Sequence, residues 1–271
     1  FIEYRWMASL IRALLQCGSN PEPHGLCEYY ACGASQRSAR VVNISSLPVK
    51  PDGCVRVVVI SDTHELHRRI MLPPGDVLLH AGDILFADRL TILPLSLKRL
   101  RDFFQWMQDQ PHPHKVVVAG NHDHIIQKLG AEKIKKMAHP VIYAENEVVD
   151  CTFGPRSLRI FASPWSEPNS SASPNRSFHH PDPCSLVPTD VLQQTHESGH
   201  GVDILLTHHG YFCDALERLL MCCKPRLLHV GGHVHECHGM WRCNQFTCVN
   251  ASMMTGNFGR EKLLKPIVLD L

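Results

Sequence analysis

Asp62 and His64 stand two residues apart, just past the β-branched run Val55–Ile60. In an extended chain residues i and i+2 point the same way, so this carboxylate and this imidazole can share one metal ion. Four later apolar runs end in similar clusters: Gly82-Asp83, Gly120-Asn121-His122-Asp123, Thr207-His208-His209 and Gly232-His233-Val234-His235. His233 and His235 repeat the i, i+2 spacing. The donors are imidazole, carboxylate and amide oxygen, with no thiolate. That mixture suits Mn²⁺, Fe or Zn²⁺ better than Mg²⁺ alone. Taken singly, each cluster reads equally as a turn or a cap, because Asn and Asp suit both. As an ordered set they point to one two-metal site.

The elements that must position these clusters follow from periodicity. Val55–Ile60, Val77–Ala81, Val116–Ala119, Ile204–Leu206 and Leu227–Val230 read as strands buried on both faces. Ligands gather at the carboxyl ends of such strands, where the clusters lie. Val41–Ile44 reads as an edge strand. Shorter strands are expected at Val141–Tyr143, Glu147–Phe153, Leu158–Ala162, Phe246–Asn250 and Ile267–Leu269. Ser96–Gln110 carries Leu97, Leu100, Phe103, Phe104 and Met107 at helical spacing. Further helices are expected over Ile125–Met137, over Asp214–Cys222, and over Thr189–Ser198 with Thr189 as its N-cap. Residues 164–188 read as a long surface loop. Strands alternate with helices early and run consecutively later, which predicts two packed sheets with helices outside, an α/β sandwich.

Composition bounds the rest. A chain of 271 residues with 44% hydrophobic content supports one large domain. A net charge of +1 gives no reason to expect a nucleic-acid polymer or an acidic membrane as partner, and no apolar run is long enough to predict a transmembrane segment. The 12 cysteines form no zinc framework and read as reduced core residues rather than ligands. The 19 histidines suit a metal protein but weaken any single match. His67, His80, His124, His209 and His238 read as polar or surface residues, and His112, His114, His179, His180 and His200 as exposed loop residues. Trp165 is either core or the wall of a nucleobase pocket. Ala8–Leu15 reads as a frayed helix or disordered arm, with a weak targeting segment as the alternative; a cytoplasmic location is the expectation. Oligomeric state is not legible.

The segments D-x-H, G-D, G-N-H-D, T-H and G-H-x-H, in that order, resemble a calcineurin-like metallophosphoesterase. Longer stretches, LLHAGDI, KVVVAGNHD, RIFASPW, DILLTHHG, PRLLHVGGHVH and VNAS, resemble its metallophosphoesterase-domain-containing (MPPED-like, UPF0046) branch. The resemblance covers Val55–Leu271. It implies a four-layer α/β/β/α sandwich, with a metallophosphoesterase domain over 51–271 and a poorly ordered N-terminal extension over 1–50. It implies one metal held by Asp62, His64, Asp83 and His235, another by Asp83, Asn121, His208 and His233, and Asp83 bridging them. A hydroxide shared by the metals attacks phosphorus in such enzymes. His122 is implied as general acid or electrostatic partner of the leaving group, with Asp123 orienting it. Some animal members of the branch lack the first His of G-H-x-H; His233 is present here. Motif four usually continues T-H-G-P but here reads Thr207-His208-His209-Gly210-Tyr211, leaving two candidates for one ligand, of which His208 directly follows Thr207 at the strand end. The expected function is phosphodiester hydrolysis on a small phosphoester or nucleotide such as a cyclic nucleotide. The alternatives are a nucleotide-binding regulatory protein with low turnover and a protein serine/threonine phosphatase.

Overall fold

The computed structural model describes residues 25–31, 39–86, 93–167, 173–255 and 262–271; the Ala8–Leu15 segment lies outside them. Strand β3 (Arg56–Ile60) shows why an unbroken apolar run was needed. Val57 and Val59 enter a core shared between two sheets, while Val58 and Ile60 enter a core with Leu100, Phe103 and Met107 of helix α1 (Leu93–Asp109). Side chains alternate along a strand, so burial on both faces calls for apolar residues at successive positions, here Val57–Ile60.

The first sheet builds outward from β3. On one side β4 (Val77–Ala81), β5 (His114–Val118) and β6 (Ile142–Tyr143) pair parallel in turn. On the other side β13 (Ile267–Asp270) pairs antiparallel, followed by β1 (Leu26–Tyr30) and the edge strand β2 (Arg40–Asn43). The second sheet contains β7 (Glu147–Phe153), β8 (Arg156–Ser163), β9 (Ile204–His209), β10 (Leu228–Gly232), β11 (Gly239–Cys243) and β12 (Phe246–Asn250) in the order β11-β12-β10-β9-β8-β7. Helices α1, α2 (His124–Leu129) and α3 (Ala131–Ala138) cover the first sheet, and α4 (Thr189–Ser198) and α5 (Asp214–Cys223) the second. The layers are α/β/β/α, as expected. β4 of one sheet lies against β9 and β10 of the other, which brings their carboxyl ends together. Among the described residues no helix is long and apolar enough to cross a membrane.

Several expectations are corrected. Residues 26–30, placed from sequence in the poorly ordered extension, supply β1 to the first sheet, and neither β1 nor β11 was expected; the edge strand expected at Val41–Ile44 is β2. The helix expected over Ile125–Met137 is two helices, split at Gly130 with φ +80°. Pro188, not Thr189, is the N-cap of α4, and no side chain bonds there. His112, expected in solvent, is buried, with Nε2 3.0 Å from the Pro73 carbonyl. Trp165 is core, its indole N–H donating to the His180 carbonyl at 2.9 Å.

Candidate metal centre

β3, β4, β5, β9 and β10 all end at one crevice between the sheets. The chain leaves the strands abruptly: Asp62, His64, Asp83 and His233 adopt φ of 52°, 41°, 55° and 70°. Non-glycine residues seldom occupy this region, and they concentrate at functional sites where surrounding structure enforces them. Asp62 and His64 are therefore not aimed together by an extended chain, contrary to expectation. β3 ends at Ile60, and a left-handed turn aims both side chains.

The ligand-type atoms converge in overlapping groups. Asp62, His64 and His235 form one; Asp62, Asp83 and His208 another; His64, Asp83 and His122 a third, each with ligand atoms within 4.8 Å of one another. His235 Nε2 lies 3.3 Å from Asp62 Oδ1 and 3.3 Å from His64 Nε2. His208 Nε2 is 3.4 Å from Asp83 Oδ1 and 2.9 Å from Asn121 Oδ1, and that amide oxygen is also 2.8 Å from His233 Nδ1. All seven residues read from sequence as ligands thus meet in one place. The alternation of β9 separates the neighbouring histidines. His208 turns inward to the Ala81 carbonyl (Nδ1–O 2.8 Å), whereas His209 turns outward against Trp165, ring centroids 5.2 Å apart.

Backbone and side-chain bonds fix each group. His64 Nδ1 faces the Leu85 carbonyl at 3.0 Å, so with that nitrogen donating, Nε2 points into the crevice as a lone pair. Asp62 accepts from the His233 backbone N–H and, at 2.9 Å, from Ser252 Oγ. The Asn250 amide donates to the carbonyls of Gly210, Gly232 and Val234, pinning the turn that carries His233 and His235. Close approach demands glycine where the turns meet the two carboxylates. A Cβ at Gly120 would lie 2.3 Å from Asp83 Oδ1, and one at Gly232 would lie 2.1 Å from Asp62 Oδ2.

These residues fit divalent metal ions. Two carboxylates are buried side by side, Asp62 fully and Asp83 at 2% exposure. Burial opposes charge on each, but neighbouring histidines override it and keep both carboxyls below the usual range. Burial likewise opposes protonation of His208, yet Asp83 beside it pushes its pKa up to about 9. The crevice thus draws positive charge, and its donors are the oxygen and imidazole ligands of borderline metals. Burial, then His122 next to it, pushes His64 down to about 4, the neutral form a ligand needs.

His122 sits at the rim, its side chain 14% exposed, with Nε2 3.9 Å from Asp83 Oδ2. Asp123 does not orient it, contrary to expectation. Its buried carboxylate accepts from the backbone N–H of Gly120 (2.8 Å), Ile84 (3.2 Å) and Leu85 (2.9 Å), tying the turn after β5 to the turn after β4. The Phe86 carbonyl holds His122 Nδ1 instead, at 2.5 Å, and Asn175 Nδ2 lies 3.1 Å from its Nε2. Ser252, Asn250 and Asn175 had no role in the sequence reading. The VNAS segment that contains the first two was visible, but nothing local says what they bond.

A family model described as calcineurin-like phosphoesterase matches residues 55–237. The human protein "Metallophosphoesterase domain-containing protein 1" is 31% identical, over 82% of this chain and 72% of its own length. The Caenorhabditis elegans "UPF0046 protein C25E10.12" is 27% identical, over 83% of this chain and 86% of its own length. A crystal structure of a Thermus thermophilus protein superposes with a TM-score of 0.49 at 13% identity, covering 73% of this chain and 88% of that one.

Proposed function

From the premise that the chain belongs to the calcineurin-like metallophosphoesterase family, in its UPF0046 branch, we propose that it is a two-metal phosphodiesterase acting on small phosphodiesters such as cyclic nucleotides. The observation that carries this reading is the convergence of seven ligand side chains beneath a rim histidine whose second ring nitrogen is held by a carbonyl. Asp62, His64, Asp83 and His235 would hold one ion, and Asp83, Asn121, His208 and His233 the other. When bound, the ions supply Lewis-acid charge at the phosphoryl oxygens and make water nucleophilic near neutral pH. His122 carries the proton to the leaving oxygen from Nε2 while Phe86 O fixes its ring. Asp123 keeps Asp83 and Asn121 in register by joining their turns.

Metal-loaded protein is expected to hydrolyse bis(p-nitrophenyl) phosphate. His122→Ala should lower kcat by about 10²–10⁴-fold with metal content unchanged. Absence of hydrolysis across mono- and diesters, phosphopeptides included, with both metals bound would overturn the proposal.

One contact favours a second reading, a nucleotide-binding protein with low turnover. The Asn175 amide sits on the same His122 nitrogen that must deliver the proton. On this reading calorimetry detects a bound nucleoside monophosphate without hydrolysis, and Asn175→Ala raises turnover. If Asn175→Ala instead lowers turnover or leaves it unchanged, the contact is no brake.

A further inference from the structure

The second histidine of Thr207-His208-His209 is not used by the phosphoesterase centre. We propose that Glu167, His209 and Cys213 form a separate metal site of zinc type on the outer face of β9. Their ligand atoms lie within 4.8 Å of one another. Cys213 Sγ is 3.4 Å from His209 Nε2. A tetrahedral zinc ion with ordinary Zn–S and Zn–N bonds sets those two atoms about 3.6 Å apart, so this edge of the site is already formed.

The local chain explains the arrangement. Successive residues of a strand point to opposite faces. His208 therefore serves the crevice between the sheets, and His209 emerges among the groups beneath α5. His209 is buried, at 5% exposure, against the ring of Trp165. Four residues on, Cys213 is the N-cap of α5, and the Leu216 backbone N–H points at its sulfur at 3.4 Å. Amides at a helix start favour the thiolate, but burial, with Glu167 beside it, holds the Cys213 thiol above its usual range, so a binding metal must displace its proton. Glu167 comes from the segment after β8, two residues beyond Trp165, so two separate stretches of chain supply the three donors.

The donor chemistry separates this site from the other. The phosphoesterase ligands offer only oxygen and imidazole, whereas a thiolate with an imidazole selects zinc over manganese or magnesium. Three protein donors leave a fourth position for water or a ligand oxygen. The rings of His209 and His233 lie 5.4 Å apart, so an ion here adjoins the main centre while sharing no ligand with it.

The test uses the full chain stripped of metal and titrated with Co²⁺, followed by absorption and elemental analysis. The expected result is a cobalt equivalent beyond those of the main centre, with a thiolate-to-cobalt charge-transfer band. That band should vanish in Cys213→Ser while the other equivalents remain. Glu167→Gln should keep the band but weaken cobalt affinity about tenfold or more. Asp83→Asn, which disables the main centre, should leave the band intact, so failure of the two-metal proposal and failure of this one are distinguishable. A band absent from the wild-type chain, or unchanged in Cys213→Ser, would show a hydrogen-bonded thiol only and overturn the site.

Discussion

Gly232 illustrates how tightly single residues constrain the centre. A methyl group there would sit 2.1 Å from both Asp62 Oδ2 and Ser61 Oγ, inside any tolerable contact. Asp62 must then swing away, because Ser61 and Asp62 are both fully buried and have no room to share the displacement. Gly232→Ala is expected to lose at least one metal equivalent by elemental analysis and to lower activity by about 10²-fold or more, since misplacement by an ångström is costly in catalysis. Full metal content and activity in that variant would show that the turn relaxes freely. At this scale much was legible in the sequence. Residue type and order marked the clusters that converge on the crevice, because chemistry limits what can bind a metal, and the resemblance implied the seven residues proposed as ligands. Asp123 was misread because its partners are backbone N–H groups, which every sequence possesses and none advertises.

Among the elements, β3 carries a residue that its apolar pattern does not explain. Arg56 is buried at 6% exposure in the strand that leads to Asp62. Its guanidinium meets Asp270 of β13 through two bonds, Nε–Oδ1 at 2.7 Å and Nη2–Oδ2 at 2.8 Å. Tyr29 of β1 donates to the same carboxylate at 2.9 Å. One buried cluster thus joins three adjacent strands. Removing a single member strands a buried charge, which costs about 3–5 kcal/mol. Asp270→Ala should therefore lower the urea midpoint strongly, whereas the paired replacement Arg56→Met with Asp270→Leu should recover much of the loss. If the single variant melts like the parent, the pair does not secure the strands. This cluster also shows why β1 escaped notice. Leu26–Tyr30 is short, contains Glu28, and takes its sheet partner from the opposite end of the chain. The long runs β3, β4 and β9 were legible because burial on both faces writes an unbroken apolar pattern. A short strand placed by pairing with β13 on one side and the edge strand β2 on the other writes no such pattern.

For the whole molecule, the abundance of histidine becomes a statement about acid. Burial pushes His112 down to about 4, and burial pushes His80 and His229 down to about 3. All three lie in the interior, at 2%, 0% and 0% exposure. Unfolded, each takes its proton near pH 6.5; folded, each refuses it until the pH is far lower. Their contribution is fully present above about pH 6.5 and is lost as pH falls toward the folded values, because protons then bind the unfolded chain preferentially. Each group gives up about 2 kcal/mol between pH 7 and 5. Asp123 works in the opposite sense, since burial and Asp83 raise it to about 8, but it is one group against these three. His208, raised to about 9, adds under about 1 kcal/mol as pH falls from 7 to 5, because the folded form already holds its proton at pH 7 while the unfolded form takes it up across this range, and this offsets only part of the loss. Metal-free protein should therefore show a falling urea midpoint from pH 7 to pH 5. His112 lies far from the centre, on the Pro73 carbonyl, so it isolates the effect. His112→Gln should be less stable at pH 7 yet lose less on acidification, its stability-against-pH slope reduced by about 1.2 kcal/mol per pH unit between pH 6 and 5. A midpoint that is flat or rises with acid, or a slope unchanged in that variant, would show that the interior histidines accept protons without unfolding the chain.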